Sequence, residues 1–169
     1  MKNNMVRRIT VSAVIAAVYT ALTLLMQPIA FGAAQIRLSE GLTMMAFVFP
    51  EAVPGLAIGC FLANLLGGGV LADIIIGTLA TLLAAFMSSR VKNIWIAGLF
   101  PVLLNTAMVA PVIVYYYMGG GSFWVYLGYM AIFALCEAFS VYAVGVPLVQ
   151  AVSKVRLGMN NSDKARKDG

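Results

Sequence analysis

Four charged side chains lie within or beside long apolar runs, where a membrane would make a charge costly. They are Arg37, Glu40, Asp73 and Glu137. A charge held at bilayer depth costs about 2.5–3.5 kcal/mol, so each of these side chains needs a partner, a water-filled cavity or a ligand. These four residues are therefore the first candidates for a binding site.

Glu137 is the strongest candidate because aromatic residues precede it along the same side of a long apolar segment. The residues that share this side are Tyr126, Tyr129, Met130 and Phe133. Spacings of three and four residues align side chains on one helical face, which here leads to the carboxylate. Stacking faces above an acceptor are typical of a pocket for a flat polar heterocycle. The alternative role of Glu137 is a structural hydrogen bond between helices.

The other polar candidates also have structural alternatives. Arg37 and Glu40 are three residues apart and could form only a weak surface pair. Asp73 could be a helix N-terminal residue favoured by the macrodipole. Asn64 and Asn105 could either join helices through their amides or contact a ligand. The complete candidate site comprises Arg37, Glu40, Asn64, Asp73, Asn105, Tyr126, Tyr129, Phe133 and Glu137.

A second pattern consists of small residues repeated at every fourth position. Ala13, Ala17 and Ala21 form such a row in the first apolar segment, and Gly55 and Gly59 begin another row in the third. Small side chains allow a second helix to approach closely. The alanine row could therefore be a docking face for a partner protein, or it could pack inside the bundle.

Six apolar segments must position these residues. They cover residues 9–26, 33–49, 52–66, 71–89, 94–117 and 123–152. With 62% apolar and 10% charged residues among 169, the composition predicts an all-α integral membrane protein and excludes an ordinary soluble domain. The second and third segments are short for a full span, so we expect them to be tilted, buried by neighbours or interrupted by proline.

The basic residues predict the orientation. With six spans and both termini in the cytoplasm, every lysine and arginine except Arg37 lies inside. The predicted organisation is a cytoplasmic N-terminus (1–8), a six-helix transmembrane domain (9–153) and a basic polar cytoplasmic tail (154–169) in the plasma membrane. The net charge of +5 therefore reflects topology and does not indicate nucleic-acid binding. Glycine-rich loops at 67–69 and 119–121 fall on the external side.

The composition also limits the chemistry. The sequence has no histidine, which removes imidazole bases and most zinc or iron sites, and no cofactor is expected. Cys60 and Cys136 lie in apolar runs and are interpreted as small core residues. No Gly-x-x-x-x-Gly-Lys-[Ser/Thr] loop is present, so the chain itself is not expected to hydrolyse ATP.

Several blocks of the sequence resemble the QueT family. They are residues 35–43, which contain an Arg-x-Ser-Glu motif, residues 49–60 and 63–65, and residues 73–82, which run from an aspartate to Gly-Thr-Leu-Ala-Thr. The resemblance covers most of residues 9–150. Gly41 departs from the family pattern, in which alanine is expected.

The resemblance implies a function and a set of partners. QueT proteins are substrate-binding S components of energy-coupling factor (ECF) transporters, associated with uptake of queuosine precursors. The resemblance therefore implies a deazapurine-like substrate captured from outside. It also implies a transmembrane coupling subunit docked on Ala13, Ala17 and Ala21, and two ATPase subunits. An S component for another vitamin and a stand-alone small transporter are the alternatives. An intramembrane enzyme would lack an evident nucleophile–base pair, and a structural protein would gain little from a buried Glu137.

Overall fold

The computed structural model describes residues 2–30 and 36–155, and every regular element in these residues is helical. In chain order the elements are α1 (Lys2–Leu25), α2 (Gln27–Ala30), a 3-10 segment (Leu38–Met44), α3 (Met45–Val48), α4 (Ala52–Leu66), α5 (Leu71–Ser88), α6 (Ile94–Tyr117), α7 (Phe123–Ala138) and a π-helical segment (Phe139–Gly145). The final helix continues beyond the π segment to Val155.

Four helices among the described residues are long and apolar enough to cross a membrane. They are Met5–Leu25, Leu71–Ser88, Ile94–Tyr117 and Phe123–Val155, whereas Leu38–Val48 and Ala52–Leu66 are apolar but shorter. A span needs about 20 residues, which the two shorter helices do not supply. The all-α membrane class is thus confirmed with four candidate spans, and the six-span bundle stays a prediction.

The predicted second segment, residues 33–49, is not one continuous helix. Its first residues, 33–35, lie outside the described residues, and the rest forms the 3-10 segment followed by the single turn of α3. Within the 3-10 segment, the Thr43 hydroxyl donates to the Glu40 carbonyl at 2.5 Å, and Thr23 of α1 ties the segment to α1 by donating to the Ser39 hydroxyl at 2.7 Å. Unlike a lipid-facing helix, the 3-10 segment is buried over most of its length.

Close packing between α1 and α4 explains the glycines of α4. A Cβ atom at Gly55 would lie 2.3 Å from the Ser12 carbonyl oxygen, and one at Gly59 would lie 2.9 Å from the Cβ of Tyr19. The Ser12 hydroxyl donates to the Glu51 carbonyl at 2.5 Å. The small-residue row of α4 is therefore used for packing inside the protein.

A second close contact joins the 3-10 segment to the π segment. A Cβ atom at Gly41 would lie 2.7 Å from the Ser140 carbonyl oxygen, and one at Gly145 would lie 2.6 Å from the Gly41 carbonyl oxygen. Gly41, the departure from the family pattern, therefore allows the two backbones to touch. This contact holds Glu40 against the helix that carries Glu137.

Pro101 interrupts the hydrogen bonding of α6 one turn before Asn105. Because proline has no N–H, the Ala97 carbonyl loses its normal helical partner. The Ser88 hydroxyl of α5 donates to that carbonyl at 2.8 Å. The bond compensates for the proline and ties α5 to α6.

Candidate functional site

The predicted site residues converge from five parts of the chain on the interior of the bundle. Eight of them are buried, namely Arg37, Glu40, Asn64, Asp73, Asn105, Tyr129, Phe133 and Glu137, and Tyr126 is half-buried. They come from the 3-10 segment and the residue before it, and from α4, α5, α6 and α7. Residues separated by up to a hundred positions therefore share one buried polar centre.

Arg37 and Asp73 form a buried ion pair. The Arg37 Nη2 atom lies 3.3 Å from Asp73 Oδ2, and the two side chains are 4% and 0% exposed. Arg37 Nε also donates to the Ala30 carbonyl at 3.4 Å. The alternative of a surface pair between Arg37 and Glu40 is therefore wrong, since both side chains are buried and Arg37 pairs with a different helix.

Asp73 occupies the first turn of α5, as expected of an acidic residue near a helix N-terminus. Asn64 of α4 lies beside it, with Nδ2 3.5 Å from the Asp73 carbonyl oxygen and 3.6 Å from Cys60 Sγ. Gly77, one turn later in α5, leaves room for this arrangement, because a Cβ there would lie 3.0 Å from Asn64 Nδ2. Asp73 and Asn64 thus form one side of the centre.

Glu40 is held by a tyrosine that the sequence did not indicate. The Tyr19 hydroxyl of α1 donates to Glu40 Oε1, and both side chains are almost fully buried. Asn105 and Thr81 border the same carboxyl group, but its Oε2 atom has no hydrogen-bond partner. Tyr19 therefore orients Glu40 and leaves one oxygen facing the centre.

Asn105 connects α6 to Glu137. Its Nδ2 atom donates to Glu137 Oε1 at 2.6 Å, which leaves the Asn105 carbonyl oxygen as a free acceptor. Asn105 also borders Glu40, so it lies between the two buried glutamates.

An aromatic wall lies beside this group on α7. The rings of Tyr129 and Phe133 are 6.2 Å apart between centroids and inclined by 36°. Both pack in a core cluster with α6 residues such as Val109 and Ile113, and Tyr126 borders it. The predicted aromatic face therefore turns inward, towards the same interior as Glu137.

Several buried polar atoms of the centre have no hydrogen-bond partner among the described protein atoms. Six buried side-chain atoms of the described residues lack a hydrogen-bond partner, namely Glu40 Oε2, Asn64 Oδ1, Asp73 Oδ1, Asn105 Oδ1, Thr106 Oγ1 and Tyr129 Oη. Leaving one such atom buried and unpaired costs about 1–3 kcal/mol. The first four are acceptors, so a group that satisfies them must donate several hydrogen bonds.

The charges of the centre are also unequal. Within the described residues of the centre, three carboxyl groups (Glu40, Asp73 and Glu137) and one guanidinium (Arg37) are buried, and Asp73 forms the ion pair with Arg37. Buried charges need compensation by a partner, a proton or a ligand. A cationic ligand would supply that compensation.

A comparison with protein families matches residues 9–154 to QueT transporter. The match covers most of the chain. The chain belongs to the QueT transporter family. Comparisons with curated proteins and with solved structures gave no match. The family gives membrane transport as the general function, and the resemblance found in the sequence is confirmed.

The alanine row of this QueT family member lies on the outside of α1. Ala13, Ala17 and Ala21 are exposed, while Ala16 and Tyr19 on the adjacent side pack against α4. An open groove of about 760 Å³ runs beside Ala13 and Ala17. Its walls come from α1 on one side and from α4 with the preceding loop on the other, where Pro50, Pro54, Ile58 and Leu62 are apolar.

Several residues of the centre in this QueT family member escaped prediction from the sequence. Tyr19, Thr81 and Thr106 were not singled out, and Cys60 was interpreted only as a core residue. Cys60 is indeed buried, and its sulfur accepts from Thr81 at 3.3 Å, whereas Cys136 is only half-buried. Helical spacing offered a signal, because Cys60 is four residues before Asn64 and Thr81 is eight after Asp73.

Proposed function

We propose that this QueT family member is the substrate-binding S component of an ECF transporter and captures a queuosine precursor from outside the cell. The observation that carries the proposal is the group of four buried, unpartnered acceptor atoms contributed by four different helices. A protein that only needed stability would gain by pairing these atoms or replacing them with apolar groups. A ligand with several hydrogen-bond donors would satisfy these acceptor atoms.

The chemistry of a 7-deazaguanine fits these acceptors. Its ring N–H and exocyclic amino groups lie on one edge and can donate two hydrogen bonds to a carboxyl group, for which Glu40 and Glu137 are the candidates. Tyr129 and Phe133 can pack against the flat ring. An aminomethyl substituent would add a cation that compensates the excess of carboxyl groups. We therefore favour the amine-bearing precursor over a neutral one.

Transport requires a partner that supplies energy. We propose that the exposed face of Ala13, Ala17 and Ala21, with its neighbouring groove, accepts a helix of the transmembrane coupling subunit. Two ATPase subunits would bind that subunit and drive reorientation of the loaded protein. Short side chains on an exposed helical face support this role, because they permit close helix approach.

The proposed transporter lies in the plasma membrane and crosses it six times, with both termini in the cytoplasm. The arrangement rests on the positive-inside pattern. The two short helical stretches, Leu38–Val48 and Ala52–Leu66, would form the remaining two crossings, where longer neighbouring helices shield them from lipid.

Titration calorimetry of the purified protein tests the substrate proposal. We expect 7-aminomethyl-7-deazaguanine to bind more tightly than the same ring bearing a neutral nitrile, by about tenfold or more, because one charge-assisted contact is worth about 1.5–3 kcal/mol. Riboflavin is the control ligand and should not bind. Binding of an unrelated vitamin with no binding of either deazaguanine would favour the alternative S component. Uptake that persists in cells without ATPase subunits would favour a stand-alone transporter.

A further inference from the structure

A second groove lies at the start of α6, the end of that helix opposite to the glycine-rich loop at 119–121. It differs in chemical character from the groove beside α1. It measures about 350 Å³ and opens between α3, the start of α6 and the end of the final helix. Two lysines line it, Lys92 from the loop before α6 and Lys154 from the last turn of the final helix. Gln150 and Ser153 complete its polar side.

The groove is positively charged without compensation among the described residues. No acidic side chain lines it, and neither lysine forms an ion pair within the part of the chain that the structure describes. Two ammonium groups that belong to separate elements would repel each other. An anion between them, accepting also from the Ser153 hydroxyl and the Gln150 amide, would remove that repulsion.

The other side of the groove is apolar. Phe47, Ile94 and Val149 line it, and all three belong to the packed cluster that also contains Met44 and Val146. Phe47 belongs to α3, the single helical turn that follows the 3-10 segment. Two lysines next to an apolar wall match an amphiphilic anion better than a fully soluble one.

We propose that this groove binds the phosphate headgroup of an anionic phospholipid, with Lys92 and Lys154 as its ligands. The wall of Phe47 and Val149 contacts the start of the acyl chains. Basic grooves between helices at the cytoplasmic surface commonly hold such headgroups, and the cytoplasmic leaflet is rich in them. The proposal uses the orientation proposed above but not the identity of the transported substrate.

Quenching of tryptophan fluorescence by brominated lipids tests this site. The chain has two tryptophans, and Trp124→Phe leaves Trp95, which is exposed and adjoins Ile94 of the groove. The protein is placed in phosphatidylcholine nanodiscs that contain a small fraction of brominated phosphatidylglycerol or, for comparison, brominated phosphatidylcholine. We expect phosphatidylglycerol to be preferred by about fivefold for each lysine, since each contributes about 1 kcal/mol.

Matched variants separate the groove from general surface charge. In Lys92→Gln/Lys154→Gln the preference for phosphatidylglycerol should disappear, and Ser153→Glu, which adds a carboxylate to the lining of the groove, should have the same effect without removing either lysine. Arg90→Gln is the control, because Arg90 lies over the Phe86 ring at 4.7 Å, near the same end but outside the groove. The preference of Arg90→Gln for phosphatidylglycerol over phosphatidylcholine should remain within about twofold of that of the parent protein.

Three outcomes would overturn the proposal. Equal quenching by the two brominated lipids would show no headgroup selection. A loss in Arg90→Gln as large as in the double variant would indicate diffuse attraction to the surface. Displacement of the brominated lipid by millimolar inorganic phosphate or glycerol phosphate would indicate a site for a soluble anion. Deazaguanine titration of the same variants should be unchanged, which keeps this test independent of the substrate proposal.

Discussion

At the scale of single residues, the polar centre depends on which atoms are paired and which are left open. Asn105 and Glu137 illustrate the arrangement, since a 2.6 Å hydrogen bond uses the amide N–H and leaves the amide oxygen unpartnered. Tyr19 likewise donates to one oxygen of Glu40 and leaves the other oxygen unpartnered. Each side chain is thus oriented by one partner and presents its second atom to the interior.

Replacement of Glu137 tests the ligand site most directly. Glu137→Gln keeps the shape but exchanges one acceptor oxygen for a donor, which would oppose N–H against N–H. We expect a loss of about 2–4 kcal/mol, or roughly thirtyfold to a thousandfold in affinity for the aminomethyl deazaguanine. Calorimetry provides the measurement, and Glu51→Gln, a carboxyl group outside the centre, is the matched control. Unchanged affinity in folded Glu137→Gln would reduce this residue to a structural role.

The Arg37–Asp73 pair predicts a characteristic pattern of stability. Arg37→Met removes the guanidinium from a carboxyl group that is 0% exposed. Breaking a buried pair from one side costs about 3–5 kcal/mol, so the unfolding temperature in detergent should fall clearly. Adding Asp73→Asn should recover part of the loss, because the uncompensated charge disappears. If the double variant is less stable than Arg37→Met, Asp73 contributes mainly through contacts other than the ion pair.

At the scale of elements, the tight contact between the 3-10 and π segments positions Glu40 and Glu137. Gly41→Ala would force a Cβ within 2.7 Å of the Ser140 carbonyl oxygen. We expect destabilisation of about 1–3 kcal/mol by overpacking, measured as a fall in the unfolding temperature. Gly128→Ala is the control, since no atom lies within 4 Å of a Cβ there and alanine favours the helix. An equally stable Gly41→Ala protein would contradict the contact.

If a partner docks on the outer face of α1, a substitution there should impair transport without impairing ligand binding. Ala17→Trp places a bulky ring on an exposed face beside the groove and should obstruct the approach of a partner helix. Uptake into cells should fall strongly, while the purified variant should bind the deazaguanine as before. Leu103→Trp, an exposed position of α6, should preserve both activities. If Ala17→Trp lowers binding and uptake together, the alanine row is needed for the fold.

At the scale of the whole molecule, the distribution of basic residues predicts the orientation. A membrane-impermeant maleimide applied to intact cells should label Ser122→Cys and should reach Asn93→Cys only after permeabilisation. Cys136→Ala provides the background, and Cys60 can remain because it is 1% exposed. Labelling of position 93 from outside would overturn the six-span topology.

The sequence by itself determined the class of the protein, most helix boundaries and the set of candidate polar residues. These features follow from local rules, because apolar length predicts helices and a charge in an apolar run is unfavourable wherever it falls. The boundaries of α4 and α6 and the start of α7 match the predicted segments at 52–66, 94–117 and 123. The aromatic face that leads to Glu137 was predictable from helical periodicity for the same reason.

The tertiary structure alone decided how these residues are paired and how the second segment is wound. Arg37 pairs with Asp73, 36 residues away, and the Tyr19 hydroxyl donates to Glu40, 21 residues away. Such partners depend on distances between helices, which no local pattern encodes. The close approach of the 3-10 and π segments likewise depends on tertiary structure, because Gly41 and Gly145 must both lack side chains at the same place.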